Sequence, residues 1–485
     1  MILLRPALAL FLAAAAVPAV AQPPLQARIE ARLAKAGPGT RFGLVVTTAD
    51  GKDLIAISPD DRFIPASNTK IFTTAAAYAT LSALDQPDTN GGAAVRLDDD
   101  GPGAPDVVLI GRGDARLSSA ADCAANCLAA LADAVAARTR IVGNIVGDDT
   151  LFPDERWSPG MSWNNISSRY GTATSALTLD DNELLLVATP GTAGTPPHVA
   201  LAHPYYTIEN HALTVAAGEE NLSIDRAPNG SVVRLTGSIP VGAAPERLRF
   251  SIDDPAHYAA WRMKALLEAR GVRVTGGAVA RHRPHLPIDD PATRKGTPPP
   301  RPPHAAPLAQ LTPPPLGEDL TRINVESQNL HAELLLRRLG NTEGTGSIAD
   351  GIAVIDAMLA RAGVPRTAYD FSDGSGMSTY NRVSPRGVVT FLHWIGAQPW
   401  GAAWRDTLPV GGRSGTLSRR FKGTALEGRV FAKTGTLNAT NALAGQMIAG
   451  SGRTLVFAIY ANDVPGDAGA TSTMDAVLEM IAAEN

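Results

Sequence analysis

The sequence predicts a mixed α/β (α+β) protein in which one helix-and-sheet layer is interrupted by a long insertion. Three observations predict it. Two strand-like runs and an alanine-rich helix occupy the first 84 residues. The same alternation of helix and strand resumes only after residue 315. Between them, residues 91–284 follow a different pattern, first α/β and then a series of short apolar runs separated by turn residues.

Taken in order, residues 1–21 have the form of a secretory signal: Arg5 in a short leading region, an apolar core over 7–17, and Ala19-Val20-Ala21 as a small-x-small cleavage site. Cleavage there makes Gln22 the first mature residue. The apolar core falls short of the roughly 20 residues a membrane span needs, and no later stretch approaches that length. Residues 26–35 have helical periodicity, and 42–48 and 54–58 are strand-like runs joined through Asp50-Gly51. Ser67 follows Pro65-Ala66 and opens the alanine-rich helix 71–84.

In the middle of the chain, residues 107–110 and 141–146 are expected as strands flanking a helix over 122–138. Residues 173 to about 250 alternate as a mostly-β region, and 254–271 return to helix, closed by Gly271. Residues 284–315 hold 12 of the 37 prolines, which excludes helix interior and central strand and predicts an exposed, extended connector. A helix over 324–339, strands over 429–434, 443–448 and 454–460, and an amphipathic helix over 471–483 complete the chain. That last helix has no basic face, so packing on the sheet is expected rather than on a membrane.

The formal charge of −4 becomes −5 once Arg5 is removed, and no basic cluster is dense enough to track a phosphate backbone, so nucleic acid is not an expected partner. Cys123 and Cys127, the two cysteines, stand four apart; helical spacing puts their Cα atoms about 6 Å apart, within reach of a local disulfide in an exported protein. Two such ligands do not make a zinc site, and His282, His285 and His304 fall in the proline-rich stretch, where a solvated loop is expected. No metal and no cofactor is expected.

The chemistry concentrates in three short motifs: Ser67-Asn68-Thr69-Lys70, Ser327-Gln328-Asn329 and Lys433-Thr434-Gly435, the last followed by Thr436. Three residues apart on a helix, Ser67 and Lys70 share a face, so the amine can take the hydroxyl proton. A lysine at its ordinary pKa of about 10.4 is charged at pH 7, so the site must favour the neutral amine by burial or by a second cation, for which Lys433 is the candidate. Lys433, Thr434 and Thr436 also suit a free carboxylate, and Ser327 and Asn329, two apart at a helix start or a turn, can aim into one cleft. Together these groups make a serine acyl-transfer site that needs no histidine.

The order of these motifs resembles that of serine β-lactamases and penicillin-binding proteins. The two motif serines stand 260 residues apart (327 − 67), far more than in the β-lactamases of this pattern. With Gly111-Arg112-Gly113-Asp114, residues 146–152, Asp373-Gly374-Ser375-Gly376-Met377-Ser378 and Gly415-Thr416-Leu417, the chain resembles the penicillin-binding protein 4 type D-alanyl-D-alanine carboxypeptidases, the S13 serine peptidase family, over nearly its whole mature length. The resemblance implies a penicillin-binding/β-lactamase-like transpeptidase domain (22–90 and 306–485) with two smaller domains inserted between the first and second motifs. These are an α/β domain (91–172 and 246–284) and a mostly-β domain (173–245), with a connector over 285–305.

It further implies Ser67 as nucleophile, Lys70 as base, Ser327 as relay to the departing amine, Asn329 on the substrate amide, and Lys433, Thr434, Gly435 and Thr436 around the substrate carboxylate. The backbone N–H groups of Ser67 and Thr436 would form the oxyanion hole. The implied substrates are peptidoglycan stem peptides ending in D-Ala-D-Ala, with β-lactam antibiotics as covalent inhibitors and the periplasm or cell envelope as location; whether the cross-link between stems is also cut stays open. Asp148 falls where the family places an acidic residue for a side-chain amine, although a turn aspartate explains it as well. Thr379 stands where many relatives have arginine, with Arg382 as a substitute, and Asn438 replaces a longer amide. A β-lactamase-like hydrolase and a non-catalytic peptidoglycan-binding protein are the alternatives; the first needs a water-activating carboxylate motif, which is not evident between the first two motifs, and the second would tolerate losses among motif residues that are all present.

Overall fold

In the computed structural model, residues 23–99, 103–299, 305–466 and 469–485 are described. The expected signal over 1–21, the cleavage before Gln22 and His304 lie outside them. Five antiparallel strands run in the spatial order Asp53–Ile57, Arg41–Thr48, Thr454–Asn462, Thr440–Ile448 and Val430–Leu437. The first and last parts of the chain thus share one sheet, with Val45 opposite Ala458. Alternation along each strand buries both faces. Leu44 and Val46 pack with Ile29, Leu33, Met474 and Leu478 of the terminal helices Leu25–Leu33 and Ala470–Glu484. Val45 faces the other way, onto Phe72, Leu335 and Phe391. Each such side chain, fully removed from water, contributes about 1.5–3 kcal/mol.

The insertion has its own sheet, in the order Ala278–Arg281, Ile145–Asp148, Asp106–Ile110, Ala94–Asp98 and Ala309–Gln310. Its three first-named strands are parallel, and the helices Leu128–Arg138 and Pro255–Ala269 cover one face through Leu131, Val135, Tyr258 and Met263. The β region that follows forms three small sheets, and its Leu184, Leu186, Leu235 and Phe250 join the same apolar core. The strand Ala309–Gln310 pairs with Ala94–Asp98 as an edge, a place where flanking prolines are tolerated. The chain therefore leaves the inserted sheet a few residues after the expected return at 306.

Several expectations are corrected. The helix expected over 324–339 is two helices, Leu316–Val325 and Asn329–Gly340, with Ser327 between them at a left-handed φ of 62°. The Gln328 side chain accepts from Leu330 N at 3.1 Å and starts the second helix afresh. The helix expected from 122 begins at Leu128, so the Cys123–Cys127 disulfide, which is formed, closes the loop before it. The nucleophile helix ends at Thr80 rather than 84.

The first part of the proline-rich connector is not a solvated strand. Pro291–Arg294 is a short helix with proline at its first position, where no N–H is needed, and Arg294 forms a buried pair with Asp350 at 2.7 Å. His282 likewise sits half-buried between Asp149 (3.0 Å) and Asp254 (3.2 Å) instead of in a solvated loop. Helices Ile348–Arg361 and Pro385–Gly396 were not anticipated.

Candidate active site

The turn Ala66–Thr69 leads into the helix Lys70–Thr80, and Ala66 takes a φ of 47° that swings Ser67 to the surface of the sheet edge. Two glycines allow this turn to be packed so closely. A Cβ on Gly435 would stand 2.4 Å from the Pro65 carbonyl oxygen, and one on Gly376 would stand 1.9 Å from that of Ala66. The third motif and the Asp373–Ser378 loop therefore press against the nucleophile from either side. Asn68 ties the turn to the strand, donating from Nδ2 to the Lys433 carbonyl at 2.7 Å and accepting from the Tyr460 hydroxyl at 3.2 Å.

Lys70 Nζ lies 2.9 Å from Ser67 Oγ, 2.6 Å from Asn329 Oδ1 and 2.6 Å from the Ser375 carbonyl. All three neighbours are uncharged. A neutral amine fits them fully: its two hydrogens go to Asn329 and Ser375, which only accept here, and its lone pair takes the Ser67 hydroxyl hydrogen. Lys70 is wholly buried, and burial lowers its pKa to about 7 against the opposing pull of Asp373 and Glu333. Lys433, also wholly buried, donates to Ser327 Oγ at 2.9 Å and to the Thr434 carbonyl at 3.1 Å. Burial, then the nearby Lys70, drives it well below the ordinary lysine range.

A cleft of about 620 Å³ opens above these groups and is lined by Ser67, Ser327, Asn329, Thr434 and Thr436 of the three motifs. Thr416 lines it too, accepting from Thr434 Oγ1 at 2.8 Å. The opposite wall comes from the insertion: Ser162, Asn164, Asn165 and Tyr170, whose backbone carbonyl accepts from Asn329 Nδ2 at 3.0 Å. That wall is docked on the Asp373–Thr379 loop, where Thr379 N and Oγ1 both donate to the Gly160 carbonyl and Ser378 Oγ donates to that of Pro159.

The three motifs thus converge, but Asp148 does not line this cleft. It is buried in the inserted sheet, 3.1 Å from Arg281 Nη1 and accepting from Thr150 Oγ1 at 2.7 Å, at a separate cavity. Arg382 is not on the cleft either; its guanidinium donates to the carbonyls of Thr379 and Asn381. Sequence reasoning missed Glu333, one turn beyond Asn329. Its carboxylate accepts from Ser375 N at 2.8 Å and so holds the loop whose carbonyl meets Lys70. Burial and Asp373 raise Glu333 to about 7. The i, i+4 spacing from Asn329 was visible, but nothing in the sequence distinguished it from the many polar helix residues nearby.

The chain is similar to known proteins over nearly its whole described length. A model of the D-Ala-D-Ala carboxypeptidase 3 (S13) family matches residues 25–484. A D-alanyl-D-alanine carboxypeptidase of Actinomadura sp. (strain R39) is 34% identical over 445 residues, 88% of this chain and 78% of that protein. Penicillin-binding protein 4 from Haemophilus influenzae superposes with a TM-score of 0.77 at 20% identity, covering 94% of this chain and 97% of that one. A second structure of it, complexed with a β-lactam, gives 0.73 at 19% identity over 94% and 98%.

Proposed function

The chain belongs to the D-Ala-D-Ala carboxypeptidase 3 (S13) family and is a serine-type D-Ala-D-Ala carboxypeptidase; we propose that it acts on peptidoglycan stem peptides through an acyl-enzyme on Ser67. The observation that carries this mechanism is the wholly buried Lys70 amine, 2.9 Å from Ser67 Oγ and held near a pKa of 7 among neutral acceptors. A base near the working pH combines a useful neutral fraction with proton affinity.

Ser67 Oγ attacks the carbonyl carbon of the penultimate D-Ala as its proton passes to Lys70. The resulting oxyanion is held by the N–H groups of Ser67 and Thr436. Thr434 and Thr436 meet the terminal carboxylate beside Lys433, against the strand that Gly435 lets pack on the nucleophile turn. As the C–N bond breaks, Ser327, which Lys433 donates to, relays a proton to the departing D-Ala amine, while Asn329 orients the peptide amide. Water then hydrolyses the Ser67 ester. A β-lactam acylates the same oxygen, and because its leaving amine stays tethered the adduct persists. An internal D-Ala amide at a cross-link has the same scissile bond without the free carboxylate, so endopeptidase action follows if the cleft accepts the longer leaving group. The sequence of residues 1–21 supports export to the periplasm or cell envelope, and no helix among the described residues is long and apolar enough to cross a membrane.

Labelling with a fluorescent penicillin tests the reading. A lasting adduct on Ser67, absent in Ser67→Ala along with D-Ala release, is the expected result; loss of a nucleophile of this kind costs about 10⁶ in rate. Rapid loss of label means a β-lactamase-like hydrolase, and no label means a binding protein.

A further inference from the structure

Two stretches singled out in the sequence, Gly111-Arg112-Gly113-Asp114 and residues 146–152, take no part in the catalytic cleft, yet both reach a second cavity of about 560 Å³. It shares no lining residue with the cleft. It opens at the carboxyl ends of the parallel strands Asp106–Ile110 and Ile145–Asp148, where they meet the helices Leu316–Val325 and Asn329–Gly340. The crevice beyond the carboxyl ends of parallel strands is where open α/β sheets bind ligands, and the volume suits a small molecule.

Charge narrows the ligand. Four ionisable side chains line the cavity: Asp88, Arg112, Asp148 and Arg338. Asp88 is paired with Arg338 at 2.5 Å, and Asp148 with Arg281 at 3.1 Å. Among the described residues Arg112 has no ion-pair or side-chain hydrogen-bond partner, and it is neither fully buried nor fully exposed. One guanidinium fork is thus left uncompensated, facing a cavity whose two carboxylates are already held. Asn341 and Thr342 add hydrogen-bonding groups on the helical side, and Leu81, Leu151 and Leu316 add apolar surface.

We propose that this cavity is a second binding site for a small monoanionic carboxylate with an amide and an apolar body, the chemistry of an N-acylated amino acid or a short peptide with a free C-terminus. The carboxylate pairs bidentately with Arg112 and the amide meets Asn341 and Thr342. A phosphate dianion is disfavoured, because its second charge faces Asp88 and Asp148 with no cation left to answer it. The site is independent of acyl transfer and stands or falls apart from the role of Ser67.

Calorimetric titration of the full chain with N-hexanoylglycine, with its uncharged amide and inorganic phosphate as competitors in chemistry, tests it. Saturable one-site binding of the carboxylate is expected. Loss of the charged pair in Arg112→Met weakens it at least about tenfold, Arg112→Lys less, and Asn341→Ala about threefold. Thr434→Val, in the catalytic cleft, leaves the affinity unchanged. Absence of saturable binding, equal binding of the amide or of phosphate, wild-type affinity in both Arg112→Met and Asn341→Ala, or loss in Thr434→Val instead would each overturn the proposal.

Discussion

At the base of the cleft, Lys70 and Lys433 are wholly buried and both are driven toward the neutral amine, Lys70 to about 7; in the insertion, His282 is half-buried and driven the other way, up to about 10. Burial opposes charge in both places. The difference lies in what touches the nitrogen. His282 meets the Asp149 and Asp254 carboxylates directly, and those hydrogen bonds outweigh its desolvation. Lys70 meets only a hydroxyl, an amide oxygen and a backbone carbonyl, while its anions, Asp373 and Glu333, act from beyond contact. The insertion uses contact ion pairs to hold segments together, as again in the buried Arg226–Asp253 pair. The cleft withholds such contacts, and the result is an amine able to accept a proton.

Placing a permanent charge at one lysine and then the other breaks this comparison most directly. Lys70→Arg leaves a cation that does not release its proton near neutral pH, so acylation by a penicillin is expected to fall by about 10³ or more, the size of a general-base contribution. Lys433→Arg still donates to Ser327 and still favours the substrate carboxylate, so a smaller loss is expected despite the tight site. Second-order acylation rates of the two variants with one penicillin give the answer. Equal losses would mean that Lys433 must also cycle through its neutral form.

The groups just compared were not equally legible in the sequence. Ser67, Lys70, Ser327, Asn329 and Lys433 were, because each motif is contiguous and carries its chemistry in side chains. The carbonyls of Ser375 and Tyr170 were not, since any residue supplies a carbonyl and only the fold brings those two to Lys70 and Asn329. Asp148 stayed open between an amine site and a turn aspartate, because a motif-like stretch does not say which way a sheet end faces; it is the turn aspartate, accepting from Thr150 N and Oγ1. The central sheet was readable from short, nearly continuous apolar runs, whereas the break at Ser327 was hidden inside a stretch with continuous helical character. For helices Ile348–Arg361 and Pro385–Gly396 the signals were present: Ser347 caps with Asp350 three residues on, and Ser384 precedes Pro385.

On the other side of the comparison, His282→Gln removes the charge that bridges two carboxylates. With its pKa raised from 6.5 to about 10, His282 contributes stability that is fully present below pH 6.5 and declines as pH rises, to be lost above about 10. Discounted for half-exposure, the contribution is about 1–2 kcal/mol. Chemical unfolding of wild type and His282→Gln should therefore differ at pH 6 and converge toward pH 10. A difference that is the same at both values would show that shape rather than charge holds this contact.

The smallest expected effect belongs to Glu333, a positioning residue that links the two patterns because its carboxylate supports the Lys70 site without touching the amine. It accepts from Gly374 N at 3.2 Å and from Ser375 N at 2.8 Å, and its charge raises the Lys70 pKa against burial. In Glu333→Gln the amide oxygen still accepts from those N–H groups, so the loop that presents the Ser375 carbonyl stays in place. With Glu333 itself near 7 its charge is only partly present there, and removing that part lets burial pull Lys70 slightly further down. The rate of penicillin acylation rises with pH as Lys70 loses its proton, and in this variant that rise should move to lower pH by less than about one unit, with the plateau nearly kept. A profile from pH 5 to 9 separates the outcomes. A lowered plateau with an unmoved limb would mean that Glu333 only holds the loop, and that its charge does not set the Lys70 pKa.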